Sequence, residues 1–256
     1  MIDTKVLWVA GAGLEHPLLG SCIWLIPAGS ACKSSMEEFA VDGQPISFAG
    51  VDLGRPRHVC AFFNSEAEEY RTLLPFIADG LQRGQKAVHV VEPERQHAHV
   101  RHLAGAGIDV AQAQQSGQLA LHLNHEIYLR EGRFDPDRML QSFEAMASSS
   151  AQGPFGISRI VCQMGWASHH PSCIHDLIAF EARVNDVWRR HDDAVICVYD
   201  LARFSGDTVV DILRTHPLVI VGGILQRNPF FLPPEDFLPQ FQRRRATENP
   251  SLKAVV

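Results

Sequence analysis

The chain has no apolar run approaching the roughly 18 residues that a membrane-crossing helix needs. None of its six cysteines (Cys22, Cys32, Cys60, Cys162, Cys173 and Cys197) stands in a C-x-x-C pair. The first absence argues against a membrane span. The second, with three of the cysteines inside apolar strand-like runs, is the usage of buried free thiols in a reducing compartment rather than of a disulfide framework, and it places the chain in the cytoplasm. Concentrated positive charge is missing too. The formal net charge is −6, which argues against a broad nucleic-acid footprint and so against direct nucleic-acid binding. Gly11-Ala12-Gly13 lacks the third glycine and the helix context of a dinucleotide fingerprint. What is present is 46% hydrophobic residues over 256 positions, enough for one large α/β domain or two small ones.

Residues 1–45 show no sustained helical or strand period and read as an arm of unknown structure. Lys5 followed by the apolar stretch Val6 to Leu14, with small residues from Ala28 to Cys32, has some of the look of a secretory signal, but Asp3, Glu15, His16 and Pro17 interrupt it. A second reading makes Met36 the true first residue.

From Ile46 the pattern is regular. His58 to Phe63 reads as a buried strand, and Glu66 to Arg83 as a helix with Tyr70, Leu73, Leu74, Ile77 and Leu81 at helical spacing. Strands follow at Ala87–Val91, Leu119–Leu123, Arg159–Met164, Ala194–Tyr199 and Leu218–Val221, the last ending at Gly222-Gly223. Helices are expected at 94–106, 110–116, 135–148, 174–188 and 207–214. Apolar strands alternating with helices imply βαβ units and a mostly parallel sheet covered on both faces. After Phe241 the sequence turns polar, and Arg243-Arg244-Arg245 reads as a solvated end rather than a binding patch. The expected division is therefore an arm at 1–45, a domain at 46–240 and a polar tail at 241–256.

Several stretches, in order, resemble one family. They include Arg57 to Phe63, Leu74-Pro75-Phe76 with Gly80-Leu81, Tyr128-Leu129-Arg130 with Gly132 to Asp135, and Met164-Gly165-Trp166. Glu181 to Asn185, Tyr199 to Phe204, Arg214 to Pro217 and Asn228 to Phe231 complete the series. Residues 46–237 are similar to the MEDS domain, the methanogen/methylotroph sensory domain found in the dichloromethane-responsive repressor of methylotrophs. The resemblance implies a RecA/KaiC-like three-layer sandwich with a degenerate P-loop. It also implies a sensor of small hydrocarbon derivatives, methylated or halogenated, that acts through a signalling or DNA-binding partner protein. No helix-turn-helix, kinase or receiver module is evident in this chain, which suggests a free-standing sensor. No cofactor and no catalytic residue are expected, and homo-oligomerisation stays open.

A working phosphate loop needs glycines, whose backbone N–H groups wrap the phosphates, and a lysine that reaches the terminal ones. The equivalent stretch here, Phe63-Asn64-Ser65-Glu66-Ala67-Glu68-Glu69, has neither and carries three carboxylates. Like charges about 4 Å apart cost roughly 4 kcal/mol at an effective dielectric of 20, so nucleotide hydrolysis by the standard route is not expected. The crevice at the carboxyl ends of the strands would remain. A RecA-like order would gather Phe63, Asn64, Glu92, Met164, Trp166, Tyr199, Asp200 and Arg203 there as a ligand-binding lining, with His58 and Cys60 as further contacts.

Each of these residues has a structural reading as well. His58 and Cys60 share one strand face and read as a core thiol and a hydrogen-bonded histidine, or as a thiol or metal sensor joined by Cys162 or Cys197; the first is favoured because zinc-knuckle spacing is absent. Met164 and Trp166 are pocket wall or core. Asp200 and Arg203 form a structural ion pair or a polar anchor. Glu181 and Asn185 point inward together, with Arg183, Arg203 or His216 as partners for the glutamate. Glu92 is a ligand contact or the relic of a catalytic carboxylate. A residual nucleotide-binding enzyme using Glu92 and Asp200 is the competing function. His97, His99, His102, His169 and His170 read as scattered surface histidines.

Overall fold

A computed structural model of the chain describes residues 46–248. The N-terminal arm, its signal-like stretch and Met36 lie outside the described residues. A hairpin of β1 (Ser47–Phe48) and β2 (Val51–Asp52) leads into β3 (His58–Phe63), α1 (Glu66–Gln82) and β4 (Lys86–Val91). Next come α2 (Gln96–Gly105), α3 (Val110–Gln115), β5 (Leu119–Leu123), α4 (Asn124–Ile127) and α5 (Pro136–Gln152). Then β6 (Ser158–Gln163), α6 (Ile174–Arg183), α7 (Asn185–Trp188) and β7 (Ala194–Asp200). The series ends with α8 (Gly206–Thr215), β8 (Leu218–Val221), β9 (Ile224–Arg227) and α9 (Pro234–Glu248).

The helix starts follow from local chemistry. Ser65 accepts a hydrogen bond from the Glu68 N–H, and three acidic residues occupy the first turn of α1. Asp135 caps α5 through the N–H groups of Asp137 and Arg138, with Pro136 next.

The seven-stranded sheet has the order β5-β4-β6-β7-β3-β8-β9. Every pairing is parallel except β8 with β9. The first long strand, β3, lies between β7 and β8, where a RecA-like sheet puts it. Strand alternation divides the core. Cys60, Phe62, Ile160, Val195 and Cys197 face α5, α6, α7 and α8. Val59, Ala61, Phe63, Val161 and Ile196 face α1, α2, α3 and the hairpin. The three layers are therefore helix, sheet and helix. In register, Cys162, Cys197 and Cys60 stand side by side on neighbouring strands.

The structure departs from the sequence-based expectations in several elements, the unexpected β1–β2 hairpin and α4 among them. The helix expected over 174–188 is divided at Val184. Leu218–Val221 is not the last strand: Gly222 and Gly223, at φ +60° and +75°, turn the chain back into β9. Of the polar tail expected from 241, residues 241–248 are instead the second half of α9, whose Phe237 and Phe241 are buried against Ile178 and Ala182 of α6, and the rest lies outside the described residues. Among the described residues no helix is long and apolar enough to cross a membrane.

Candidate functional site

The carboxyl ends of β3, β4, β6 and β7 open into a hollow of about 140 Å³. It is lined by Phe63, Glu92, Tyr199, Asp200 and Arg203, and also by Ser65, Glu66, Glu69, Arg95, Gly165 and Val198. Asn64, expected in the crevice, does not line it; its backbone N–H is bonded to Glu68 Oε2 at 3.0 Å. The turn after Phe63 is a two-residue helix cap, not a phosphate cradle. The first turn of α1, where RecA-like enzymes hold a triphosphate, is filled by Glu66, Glu68 and Glu69.

A belt of paired polar groups runs across this hollow. Arg95 Nη2 meets Glu69 Oε2 at 2.7 Å. Gln163 Nε2 donates to Glu69 Oε1 at 2.9 Å, and Gln163 Oε1 accepts from the Glu92 N–H at 3.2 Å. Arg203 Nη1 donates to Glu92 Oε2 at 2.8 Å. Burial raises the Glu69 carboxyl above its ordinary range, against the pull of Arg95. Arg203 thus pairs with Glu92 across the crevice, and also with the Gly165 carbonyl at 2.8 Å and Ser168 Oγ at 3.1 Å. It does not neutralise Asp200, as the sequence suggested. Asp200 instead caps the 3₁₀ turn Leu201–Arg203 by accepting from the Ala202 N–H. A Cβ at Gly165 would collide with the Arg203 guanidinium and lie 2.7 Å from Glu92 Oε1, so the belt depends on that glycine.

Four more of the residues expected in the crevice, besides Asn64, lie elsewhere. Met164 and Trp166 turn inward through the 3₁₀ turn Gly165–His169 and join the α5–α8 side of the core. Trp166 stacks on Tyr128 at 5.0 Å. His58 and Cys60 point to the same face of the sheet, away from Phe63. The lining is therefore charged rather than aromatic and sulfur-rich. Glu69 and Arg95 were the residues missed, because nothing in their spacing marks them as partners across two elements.

Beside His58 lies a second polar cluster. Glu181 and Asn185 do point inward together, and both are buried. His58 Nε2 is 3.2 Å and His216 Nε2 3.5 Å from Glu181 Oε2. Tyr199 Oη donates to Glu181 Oε1 at 2.9 Å. Burial opposes ionisation of Glu181, but the nearby imidazoles of His216 and His58 outweigh it, so its carboxyl lies below the ordinary range. Burial, and then the charge of Glu181, push the Cys197 thiol well up. The glutamate's partners are thus His216, as expected, and His58 in place of Arg183 or Arg203.

The surface-histidine expectation fails for His99. It is buried with His89, their rings joined through His99 Nε2 and His89 Nδ1 at 2.9 Å, and Tyr70 Oη meets His99 Nδ1 at 2.9 Å. Burial holds His99 down at about 4 and pushes His89 well below its ordinary range.

The whole is a mostly parallel seven-stranded sheet between two layers of helices, with carboxylates in the first turn of α1 and a small charged crevice beside them. Residues 57–217 match the family model described as "MEDS: MEthanogen/methylotroph, DcmR Sensory domain", more than half of the chain, and the chain belongs to this family of sensory domains. It is similar to the transcriptional repressor DcmR of Methylorubrum extorquens, 24% identical over 170 residues, 66% of this chain. The matched stretch spans 61% of that repressor, less than two thirds of its length. Among solved structures the chain is similar to the flagellar accessory protein FlaH from Methanocaldococcus jannaschii. The identity is 13% and the TM-score 0.41, over 66% of this chain and 74% of that one.

Proposed function

We propose that the chain is a ligand-sensing module. It binds a small hydrocarbon derivative of the methylated or halogenated kind in the crevice at the strand ends, and passes the bound state to a signalling or DNA-binding partner. Membership of the sensory family and likeness to a repressor support the regulatory role. The observation that carries the site is the crevice itself. It is closed to triphosphate by the carboxylates of α1, yet keeps about 140 Å³ beside two arginine–glutamate pairs. That volume is below the roughly 300 Å³ at which pockets for drug-sized ligands begin, which favours a ligand of few heavy atoms. Four lining carboxylates (Glu66, Glu69, Glu92, Asp200) against two guanidiniums (Arg95, Arg203) favour a neutral or cationic ligand over an anion.

Thermal denaturation with halomethanes, methanol and methylamines in parallel tests this reading. A rise in the midpoint with one of these classes, lost in Arg203→Ala, is expected. No rise with any of them would count against the crevice as a sensory site.

A further inference from the structure

His58 on β3, Glu181 on α6, Cys197 on β7 and His216 after α8 bring one ligand atom each to a single point on the α5–α8 side of the sheet, all four side chains buried and all donor atoms within 4.8 Å of one another. The crevice reading does not use them.

The hydrogen-bond network fixes the tautomers. Asn185 Nδ2 faces three carbonyls, of Glu181, Ala182 and Thr215, at 3.0, 3.0 and 2.7 Å. A nitrogen must therefore stand there, and Asn185 Oδ1 is left to accept from His58 Nδ1 at 3.1 Å. His216 Nδ1 lies 2.9 Å from the Ile212 carbonyl, which can only accept, and 2.9 Å from Thr215 Oγ1, whose own proton goes to that same carbonyl at 2.8 Å. Both rings thus carry their proton on Nδ1, and in the neutral state both Nε2 atoms are bare lone pairs. These lone pairs aim at the same carboxylate oxygen, Glu181 Oε2. His216 Nε2 is buried without a hydrogen bond. Opposed lone pairs at 3.2 and 3.5 Å need a positive charge between them.

A single shared proton would satisfy one of the two contacts. A dication satisfies every donor at once. We propose that His58, Glu181, Cys197 and His216 form a binding site for one transition-metal dication, with zinc the best match to the donor set.

The spacing fits. Tetrahedral zinc with Zn–N and Zn–O near 2.0–2.1 Å and Zn–S near 2.3 Å sets donor pairs about 3.3 Å apart, and about 3.6 Å where sulfur is involved. Here the His58–Glu181 and His216–Glu181 pairs are 3.2 and 3.5 Å, and Cys197 Sγ is 3.5 Å from His58 Nε2 and 3.8 Å from Glu181 Oε2. The charge fits as well. A carboxylate and a thiolate offset two positive charges, and two neutral imidazoles complete a site with no net charge in a dry interior. Binding would send the Cys197 thiol proton to solvent. Asn185, the Ile212 carbonyl and Tyr199 already hold the ligands from outside, as the outer groups of built metal sites do. Cys60, the thiol nearest His58 in sequence, is not a ligand: its Sγ is directed to the Leu218 carbonyl at 3.6 Å.

The test needs no sensory ligand, so its failure and the failure of the crevice reading are separable. The full chain is produced in zinc-supplemented medium and purified without chelator; a second sample is refolded with Co²⁺. Close to one zinc per chain, released only on unfolding in guanidinium, is expected, with a thiolate-to-cobalt charge-transfer band in the refolded sample. Cys197→Ser removes the band and Cys60→Ser keeps it. Should Cys197→Ser fail to fold, X-ray absorption at the metal edge of the unmutated protein decides: one sulfur among light donors supports the site, and no sulfur or several overturn it. A protein that holds no zinc and whose refolding with Zn²⁺ or Co²⁺ leaves its spectrum and midpoint unchanged also overturns it, and assigns the cluster to a shared proton.

Discussion

A glycine decides whether the crevice can keep its paired charges. At Gly165 any side chain enters the space of the Arg203 guanidinium and of Glu92, so Gly165→Ala is expected to cost about 1–3 kcal/mol as an overpacked contact. The loss is measured as a lower urea midpoint, and the ligand-induced thermal shift should disappear with it. The buried histidines set a pH dependence. His99 is held at about 4, below its unfolded value near 6.5. The unfolded chain therefore binds the extra proton, and the stability His99 contributes, present above about pH 6.5, is lost as pH falls toward 4. The slope is about 1.4 kcal/mol per pH unit for one proton. His99→Gln should flatten the wild-type slope by that amount in urea titrations at several pH values; an unchanged slope would show that His99 titrates alike in both states. At this scale the sequence disclosed identities but not partners. Glu181 and Asn185 were legible as an inward pair from their i, i+4 spacing. Arg203 was assigned to the nearest carboxylate in sequence, Asp200, whereas the sheet brings it Glu92 from 111 residues away.

At the scale of elements, β9 and α9 show what a pattern hides. Val221-Gly222-Gly223-Ile224 carries a two-residue hairpin signal, since both glycines adopt positive φ, but the apolar run before it reads as a closing strand. In α9 the arginine run reads as a solvated end, and Pro239 stands inside the helix. The only core signal is a phenylalanine pair four residues apart. That pair stacks at 5.3 Å and is buried on α6. Arg244 pairs with Asp211, and Arg214 donates to Gln240 at 2.7 Å, so α9 is tied to α8 as well. Phe241→Ala is expected to cost about 3 kcal/mol, at the low end for a buried phenylalanine. Limited proteolysis should then cut within α9 well before the sheet is attacked. Equal resistance of both proteins would mean that α9 does not depend on that side chain.

Over the whole molecule the strand order was the most legible feature. Alternating apolar strands and helices leave few ways to wind a parallel sheet, and the family resemblance selects the one with β3 between β7 and β8. The position of the crevice followed from that order; its character did not. Met164 and Trp166 stand at the end of β6, where the chain turns inward, and no sequence period marks that turn. The crevice that results bears excess negative charge, so millimolar Mg-ATP should leave the thermal midpoint unmoved. A ligand that binds only the folded chain raises stability by about 2.7 kcal/mol at a hundred times its dissociation constant, so a clear rise with Mg-ATP would restore nucleotide binding to this scaffold.

The row of Cys162, Cys197 and Cys60 across three adjacent strands has a practical consequence. All three thiols are buried, and that of Cys162 is pushed up to about 12 by burial. Modification needs the thiolate, so an alkylating reagent reaches these sulfurs only when the sheet opens, whereas the partly exposed Cys173 answers to local exposure alone. The centre of the protein thus carries its own clock, and the rate at which those three sulfurs are blocked reads how often the native state comes apart.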